Sequence, residues 1–270
     1  MTDVVDPKTV KRAGDDPAAT AEQTLDVTVL GCSGSYAEAG GSCSGYLVRG
    51  GGRTVLLDCG PGSLANLQRH IDISELDAVV ITHCHPDHWT ELPVLRNVWK
   101  WVLRTERRLP VITTEETWHM ADVVSGDRLL DTCEPTIVSD GAEHTIGPQR
   151  WRFSRTDHPV ETLAVRVDVS GRSFAFSADT GPDWSLEALA FDGGIDLAFV
   201  ESTYSDATKP RGVQHLTAAQ AGAIAAAANV RHLVLTHLLP GQDPATHRAE
   251  ARTSFDGSLS VATIHRGYRA

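Results

Sequence analysis

The apolar positions of the chain fall into short runs separated by turn residues, and the spacing within each run predicts its secondary structure. Alternating or β-branched runs predict strands, whereas apolar residues that recur every three or four positions predict helices. The predicted strands cover residues 25–31, 44–62 (a hairpin around Gly50–Gly52), 76–85, 150–156, 163–169, 172–178, 195–202, 231–237 and 259–266. The predicted helices cover residues 63–71, 91–105, 184–190, 217–229 and 244–254. Strands precede helices in both halves of the chain, which predicts an α/β protein with two layered halves around a shared pair of sheets.

Two of the predicted helices carry a further signal. One apolar face of the helix at 91–105 is formed by Leu92, Leu95, Trp99, Val102 and Leu103. The Ala-rich helix at 217–229 begins at Thr217, whose hydroxyl is suited to cap the first turn. We therefore expect the first helix to pack through this face and the second to start at Thr217.

The composition is that of a globular chain without a membrane segment. The 270 residues are 41% apolar and 22% charged, which allows a sizeable core. No run of about 18 apolar residues occurs, so no transmembrane helix is expected. Residues 1–23 are polar and lack the apolar region of a signal peptide, so we expect a disordered tail followed by one domain at 24–270. Five cysteines without a C-x-x-C pair are typical of the reducing cytoplasm.

The formal charge of −11 limits the classes of partner. A strong non-specific nucleic-acid binder would need a basic patch, so stable nucleic-acid binding is not expected. A phosphate-bearing substrate remains compatible with the charge, because bound metal cations can reverse the local sign.

The residues that can bind metals share one position in the pattern. The side chains at or just after predicted strand ends include His83, His85, His158, Asp179, Glu201 and His237. In layered α/β folds, ligand sites gather in the loops at one end of the sheet. We therefore expect these side chains to lie close together.

The segment HCHPDH, residues 83–88, supplies four candidate ligands within six positions. Along an extended segment, His83 and His85 face one side and Cys84 faces the other. Pro86 then forces a change of direction, so that Asp87 and His88 can face a second ion. Four ligands this close would crowd a single ion, which favours two adjacent metals and a buried packing role for Cys84.

Each ion needs further ligands from distant parts of the chain. His158, Asp179 and His237 can supply them. A single histidine after a strand is more often a hydrogen-bonded surface residue, but the H-x-H-x-D-H pattern makes a metal site the better interpretation. Histidine and carboxylate ligands suit zinc, manganese or iron more than calcium or magnesium.

A series of motifs resembles the metallo-β-lactamase superfamily of binuclear hydrolases over residues 25–270. The motifs are TVLGCSGS, SGYLV, LLDCGPG, VVITHCHPDHWTELP, TDHP, ADTG, VEST, HLTAAQAG and LVLTH. The resemblance implies a four-layer αββα sandwich. It also implies that His83, His85 and His158 bind one metal, that Asp87, His88 and His237 bind the other, and that Asp179 bridges both.

Within the superfamily, the chain is similar to the tRNase Z-like branch, in particular its small actinobacterial-type members with cyclic-nucleotide phosphodiesterase activity. The bridging aspartate disfavours a true β-lactamase, and TDHPVET in place of a PGHT-type segment disfavours a glyoxalase II. Ala178 stands where the family usually has glycine. The segment between His158 and Asp179 predicts only a strand–turn–strand, whereas members that process transfer RNA often insert a long Gly/Pro-rich arm there.

These observations lead to a functional hypothesis with named roles. We expect a metal-dependent phosphodiesterase that acts on small phosphodiesters such as 3′,5′-cyclic nucleotides, using water activated by two divalent ions, with zinc favoured. Asp87 would also orient or deprotonate the water, His215 would protonate the leaving alkoxide, and Glu201 would orient His215. A hydrogen-bonding role at the start of the following helix for His215, and the orientation of a metal-binding histidine for Glu201, are the alternatives.

Several alternatives stay open at this point. The chain could be an RNA 3′-processing nuclease, an aryl sulfatase or lactonase, or a non-catalytic binding protein stabilised by metal. The GCSGS turn, Ser42 and Ser44 could donate hydrogen bonds to phosphate or could be purely structural, and Trp89 and Trp118 are interpreted as packing residues rather than as base-stacking residues. A homodimer is compatible with a soluble enzyme of this size.

Overall fold

Two mixed β-sheets face each other, and helices cover their outer faces. The computed structural model describes residues 24–191 and 193–270, so the tail predicted at 1–23 lies outside the described residues. The strands are β1 Leu25–Gly31, β2 Gly45–Gly50, β3 Arg53–Leu57, β4 Ala78–Val80, β5 Leu109–Thr113, β6 Cys133–Ile137, β7 Glu143–Ile146, β8 Gln149–Arg155, β9 Leu163–Val169, β10 Arg172–Phe176, β11 Ile195–Glu201, β12 Val230–Thr236, β13 Ser258–Val261 and β14 Gly267–Arg269. The α-helices are α1 Ser63–Leu67, α2 Pro86–Trp89, α3 Leu92–Asn97, α4 Glu115–Val124, α5 Ala218–Ala227 and α6 Pro244–Ala251.

The alternation of side chains along each strand produces the layers. The strand order is β14-β1-β2-β3-β4-β5-β6 in the first sheet and β13-β12-β11-β10-β9-β8-β7 in the second. On β2, Tyr46 and Val48 point into a core between the sheets, whereas Leu47 points outward to a cluster that the first-half helices cover. On β12, Val234 points inward and Leu233 points to the α5 and α6 side. The four-layer αββα sandwich implied by the sequence is therefore confirmed.

The carboxyl ends of the parallel strands bring the polar motifs to one edge of the sandwich. In the first sheet β3, β4, β5 and β6 are parallel, and in the second sheet β10, β11, β12 and β13 are parallel. The HCHPDH segment follows β4, Asp179 follows β10, Glu201 ends β11 and His237 follows β12. The loops at this edge therefore hold the predicted ligands, as expected for layered α/β folds.

The helix predicted at 91–105 is interrupted. It consists of α3 followed by a π-helical segment, Val98–Leu103. The wider π-helical turn changes the phase of the apolar face. Trp99 is consequently fully buried, but Val102 is 71% exposed, so the prediction that Val102 belongs to the buried face was wrong.

The last strand predicted from the sequence, at residues 259–266, is confirmed only at its start. Residues 258–261 form β13 in the second sheet, whereas residues 267–269 form β14 beside β1 in the first sheet. A turn between them contains the hydrogen bond from the Arg266 amide to the Thr263 carbonyl, and His265 has a left-handed φ of 71°. Residues 262–266 therefore connect the two sheets, where the apolar pattern predicted that the strand continues.

The pair α5 and α6 packs closely on the outer face of the second sheet. Thr217 caps α5, as predicted, and its side chain accepts a hydrogen bond from the Gln220 amide. A Cβ at Gly222 would lie 2.5 Å from the Ala251 carbonyl oxygen, so glycine permits the close approach of the two helices. Among the described residues, no helix has the length and apolarity needed to cross a bilayer.

Candidate metal centre

Four of the predicted ligands converge in a first group at the carboxyl edge of the sandwich. His83, His85, His158 and Asp179 each offer one ligand atom, and these atoms all lie within 4.8 Å of one another. His158 Nε2 lies 3.0 Å from His85 Nδ1, and His83 Nε2 lies 3.6 Å from Asp179 Oδ2. The structure thus brings together the four residues that the family resemblance assigned to one ion and its bridge.

A second group lies directly beside the first. Asp87, His88 and His237 offer ligand atoms within 4.8 Å of one another, and the Nε2 atoms of the two histidines are 3.3 Å apart. Asp179 Oδ1 lies 3.3 Å from each of these Nε2 atoms, whereas Asp179 Oδ2 faces the first group. The carboxylate of Asp179 therefore presents one oxygen to each group, which is the arrangement of a bridging ligand.

The local backbone explains how one short segment serves both groups. After β4 the chain stays extended to His85, whose φ and ψ are −70° and 138°, and α2 begins at Pro86. A proline suits this first helical position because its missing N–H has no partner there. The helical turn then carries Asp87 and His88 to the second group.

Cys84 is part of neither group. Its side chain is 5% exposed, and burial, followed by the nearby Glu116 carboxylate of α4, raises the pKa of its thiol to about 11. The packing role predicted for Cys84 agrees with this environment.

Hydrogen bonds to the second ring nitrogen fix most of the histidine rings. The Nδ1 atoms of His83, His88, His158 and His237 contact Thr82 Oγ1 at 3.0 Å, Asp58 Oδ2 at 2.7 Å, the Gln214 carbonyl at 3.2 Å and Thr203 Oγ1 at 2.9 Å, respectively. A partner on Nδ1 fixes the orientation of the ring and leaves Nε2 directed at the centre.

The donor set fits divalent metal ions. Within the described residues, the buried atoms His83 Nε2 and Asp179 Oδ1 have no hydrogen-bond partner, which is unusual for buried polar atoms. Burial lowers the pKa of His83 to about 3 and also lowers the pKa of His85 and His158. These imidazoles are consequently neutral at pH 7 and can donate a lone pair to a cation.

The carboxylates make the second group attractive to positive charge. Burial would raise the pKa of Asp87, but His88 and His237 outweigh it and hold that pKa well below its ordinary value. Burial would likewise lower the pKa of His88, but the carboxylates of Asp179, Asp87 and Asp58 raise it well above its ordinary value. The carboxylates around His88 therefore favour positive charge at this position.

Three residues at the centre adopt left-handed backbone conformations that non-glycine residues rarely adopt. The φ angles of Asp58, Ala178 and His237 are 56°, 51° and 58°. Such conformations cost about 1–3 kcal/mol each and cluster at functional sites. Ala178 stands next to Asp179, and its backbone conformation explains why glycine is suited to this position.

The GCSGS turn supports the second group through its backbone. The Ser35 amide donates a hydrogen bond of 2.7 Å to Asp87 Oδ2. A Cβ at Gly34 would lie 2.7 Å from His237 Nδ1, so only glycine fits beside this ring. The turn thus orients one predicted ligand and packs against another.

His215 lies beside both groups and is held by Glu201. The Nδ1 of His215 is 2.8 Å from Glu201 Oε1, and its ring stacks on His237 with centroids 5.6 Å apart. Burial would lower the pKa of His215, but the Glu201 carboxylate outweighs it and raises the pKa to about 9. His215 also offers a nitrogen within 4.8 Å of ligand atoms of Asp179 and His237.

Glu201 is fully buried and connects several parts of the centre. It accepts hydrogen bonds from the amides of Thr180, Thr203 and Leu216 and from the Thr203 hydroxyl. Because Thr203 contacts Nδ1 of His237, Glu201 supports a predicted metal ligand as well as His215. These contacts are compatible with both roles considered for Glu201 from the sequence.

Other residues singled out from the sequence lie away from the centre's chemistry. Ser42 is fully buried and donates to the Leu30 carbonyl at 2.6 Å, and Ser44 is also fully buried, so neither hydroxyl is presented to a substrate. Trp89 is 3% exposed and donates to the Cys84 carbonyl, and Trp118 packs against the first outer core. The tryptophans are packing residues, as expected.

Asp58 is the main functional candidate that sequence reasoning missed. It is fully buried, and besides contacting His88 it accepts a 2.9 Å hydrogen bond from the Thr82 amide. The sequence contained a signal for Asp58, because this residue directly follows strand β3 within LLDCGPG, as the other candidate residues follow their strands. Thr203 and Gln214 were missed because their partners are distant in sequence.

Comparison with known proteins agrees with this geometry. The family model described as "Beta-lactamase superfamily domain" matches residues 53–238. An uncharacterized protein of Mycobacterium tuberculosis (strain ATCC 25618 / H37Rv) is 34% identical over 246 residues, which is 87% of this chain and 89% of that protein. The probable metallo-hydrolase YhfI of Bacillus subtilis (strain 168) is 29% identical over 243 residues, covering 88% of this chain and 97% of YhfI.

One solved structure and one further relative are also similar to this chain. The crystal structure of YhfI from Bacillus subtilis, a metallo-beta-lactamase fold protein, superposes with a TM-score of 0.81 and 26% identity over 92% of this chain and 100% of YhfI. A protein of Mycobacterium avium (strain 104) named Ribonuclease Z is 31% identical over 275 residues, covering 90% of this chain and 97% of that protein.

Proposed function

The chain belongs to the beta-lactamase superfamily, and we propose that it is a phosphodiesterase that hydrolyses small phosphodiesters such as 3′,5′-cyclic nucleotides with two divalent metal ions. The coarser class, a metallo-hydrolase, follows from the family and its relatives. One observation carries the proposal: Asp179 lies between two groups of histidine and carboxylate ligands, beside a His215–Glu201 pair.

The two ligand groups define where the ions would be held. His83, His85 and His158 would hold one ion, Asp87, His88 and His237 would hold the other, and Asp179 would contact both. Zinc suits these donors, with manganese and iron as alternatives. Divalent ions bound there would supply an activated water at neutral pH and positive charge for the phosphoryl oxygens.

The chain's own residues orient the reacting groups. The Ser35 amide and His237 both contact Asp87 Oδ2, at 2.7 Å and 3.2 Å, and so fix the carboxylate at the centre. An ionised carboxylate in this position accepts a hydrogen bond from the attacking water, in addition to its role as a ligand.

The leaving oxygen needs a proton when its bond to phosphorus breaks. Glu201 occupies Nδ1 of His215, so the other ring nitrogen is left to donate that proton to the departing alkoxide. Solvent then restores the proton, since the side chain of His215 is 15% exposed. In this assignment Glu201 is a positioning residue that acts through His215.

Two observations favour a small substrate over transfer RNA. Strands β9 and β10 are joined by the two-residue turn Ser170–Gly171, with φ angles of 52° and 73°. This tight turn matches the type I′ geometry of a short hairpin. It lies between His158 and Asp179, the segment in which members that process transfer RNA often insert an arm. The formal charge of −11 also disfavours extensive contact with an RNA backbone.

A substrate comparison tests the proposal. The full chain, loaded with zinc or manganese, is incubated with 3′,5′-cyclic AMP, 3′,5′-cyclic GMP, precursor transfer RNA, an aryl sulfate and a lactone. We expect the cyclic nucleotides to be opened to monoesters with the highest kcat/KM. Asp87→Ala, purified in parallel, should be inactive, which excludes a contaminating phosphodiesterase. Good turnover of another ester without turnover of cyclic nucleotides would overturn the proposal.

An RNA 3′-processing nuclease is the second candidate. The similarity to Ribonuclease Z of Mycobacterium avium, over 97% of that protein, favours it because the name implies cleavage of RNA phosphodiesters. Clean cleavage of precursor transfer RNA at its 3′ side in the same experiment would establish this alternative. A non-catalytic metal-stabilised binding protein would show metal binding without turnover of any ester.

A further inference from the structure

Five arginines line a cavity at the end of the second sheet that lies opposite the candidate metal centre. The cavity has a volume of about 370 Å³ and is lined in part by Arg150, Arg152, Arg166, Arg172 and Arg231. Pockets for small molecules begin at about 300 Å³. Such a concentration of positive charge is unexpected in a chain with a formal charge of −11.

The strand register explains how arginines distant in sequence meet. On β8, Arg150 and Arg152 are two residues apart and so point to the same face of the sheet. Across to β9, Arg150 lies opposite Asp168 and Arg152 lies opposite Arg166. Two arginines directly opposite each other repel, so this register accumulates charge that needs a compensating anion.

Among residues 24–191 and 193–270, carboxylates compensate the arginines only in part. Asp168 lies 3.0 Å from Arg152 and 2.8 Å from Arg166, so two guanidinium groups share one carboxylate. Asp196 is likewise shared, with Arg231 at 3.0 Å and Arg172 at 3.9 Å.

Arg150 has a weaker partner. It lies 3.7 Å from Glu143, which also contacts Arg152. Among the described residues, five guanidinium groups therefore face three carboxylates.

The five arginines divide into fixed and available groups. Arg166 is 7% exposed and donates to the carbonyls of Leu189 and Gly194, so it holds the loop beside the cavity. Arg152 is fixed by its two ion pairs and by the ring of Phe191 at 4.9 Å. The other three arginines are available to a ligand.

The available arginines have loose contacts and high exposure. Arg150 and Arg172 are 58% and 48% exposed, and their ion-pair distances of 3.7 Å and 3.9 Å exceed hydrogen-bond length. Arg231 is 73% exposed and lies 3.0 Å from Asp196. Since each guanidinium carries five N–H donors, most donors at the cavity rim can bind a ligand.

We propose that this arginine cavity binds the phosphoryl group of a small phosphorylated molecule. Guanidinium groups match phosphate oxygens in a planar, bidentate geometry, and several of them together favour a multiply charged anion. The fixed residues Arg152 and Arg166 form the inner wall, and Arg150, Arg172 and Arg231 close on the anion from the rim.

The cavity is separate from the candidate metal centre. It lies at the start of β10, β11 and β12, whereas the ligands follow the ends of these strands. The seven residues of β11 span roughly 20 Å, from a rise of about 3.3 Å per residue. The proposed site is therefore independent of the proposed hydrolytic reaction.

Binding of inorganic diphosphate to the metal-loaded full chain, measured by isothermal titration calorimetry, tests the proposal. Arg172→Gln and Arg231→Gln change exposed side chains and should not disturb folding, which thermal unfolding checks. Each should weaken diphosphate binding at least about tenfold, because each removes a charge-assisted hydrogen bond. Arg128→Gln is the matched control, since Arg128 is also exposed and ion-paired to one aspartate but lies in the first half of the chain.

A second set of titrations separates the two sites and the sources of the phosphoryl group. Asp179→Asn, which alters the metal centre, should leave diphosphate binding to the cavity within about twofold of wild type. ADP and free phosphate, titrated in parallel, distinguish a nucleoside diphosphate from an inorganic anion. The proposal fails if the arginine variants bind diphosphate as wild type does, if only Asp179→Asn abolishes binding, or if wild type binds none.

Discussion

The two ends of the second sheet both collect charged side chains, but they differ in burial and in the number of partners. At the carboxyl ends of β10, β11 and β12, Asp179, Glu201 and His237 are at most 2% exposed. At the amino ends of the same strands, Arg172 and Arg231 are 48% and 73% exposed. The carboxyl end is a preorganised centre, whereas the amino end is a solvated surface whose charges can exchange partners.

The difference follows from the cost of burying charge. A buried polar atom without a partner costs about 1–3 kcal/mol, so a cation that contacted an unpartnered atom such as Asp179 Oδ1 at the carboxyl end would remove that cost. An exposed ion pair contributes only about 0–1 kcal/mol, so the amino end tolerates incomplete pairing at little cost. Substitutions at the two ends should therefore differ sharply in effect.

Asp179→Ala is expected to have the largest effect, because one carboxylate oxygen faces each ligand group. Activity should fall below detection, and metal content should decrease at both positions. Asp87→Ala should also abolish activity but remove a ligand from one position only. Metal analysis of the purified proteins, alongside hydrolysis rates, checks this. Wild-type metal content in Asp179→Ala would contradict a bridging role.

His215→Ala should lower kcat by about 10²–10⁴-fold, the usual contribution of a general acid, while metal content stays unchanged. The loss should be much smaller with a p-nitrophenyl ester, whose leaving group needs no proton. His119→Ala changes an exposed histidine and serves as the control. Loss of metal from His215→Ala would instead identify His215 as a ligand.

Asp58→Asn should reduce metal affinity or activity by about 10–100-fold, because the carboxylate orients the His88 ring through its Nδ1 atom. Competition with a chelator measures the affinity. Asp77→Asn is a suitable control, since Asp77 contacts Arg53 and the Thr54 amide at the opposite end of the first sheet. Equal metal affinities for wild type and Asp58→Asn would show that Asp58 does not support metal binding through His88.

Arg231→Gln should change the free energy of unfolding by less than about 1 kcal/mol, because the Arg231 side chain is 73% exposed and water screens its ion pair with Asp196. Urea denaturation at two salt concentrations measures the change. A destabilisation of several kcal/mol would mean that the amino end of the sheet depends on its ion pairs in the same way as the carboxyl end does.

Cys84→Ala should have the smallest effect on the centre, since Cys84 lies outside both ligand groups. Metal content and turnover are expected to remain at wild-type values. Loss of one equivalent of metal in this variant would show that the side chain contributes to an ion after all.

Prediction from the sequence succeeded where the information was local. Alternation and a proline turn in HCHPDH predicted two pairs of candidate ligands, which lie in two different groups, and Thr217 predicted the start of α5 through capping chemistry. The prediction was wrong at Val102, where a π-helical segment rotates the apolar face, and at residues 262–266, where the chain passes from one sheet to the other. Residues 106–149 received no predicted element, although they form β5, α4, β6 and β7.

The sequence by itself determined the α/β class, the types of candidate ligand and the division of HCHPDH into two pairs, because these depend on residue chemistry and short spacing. Only the tertiary structure decided that Asp58 holds His88 and that the arginines of four strands line one cavity. Those relations arise from which strands become neighbours in the sheets. Strand pairing joins residues far apart in the chain, so no local pattern records it.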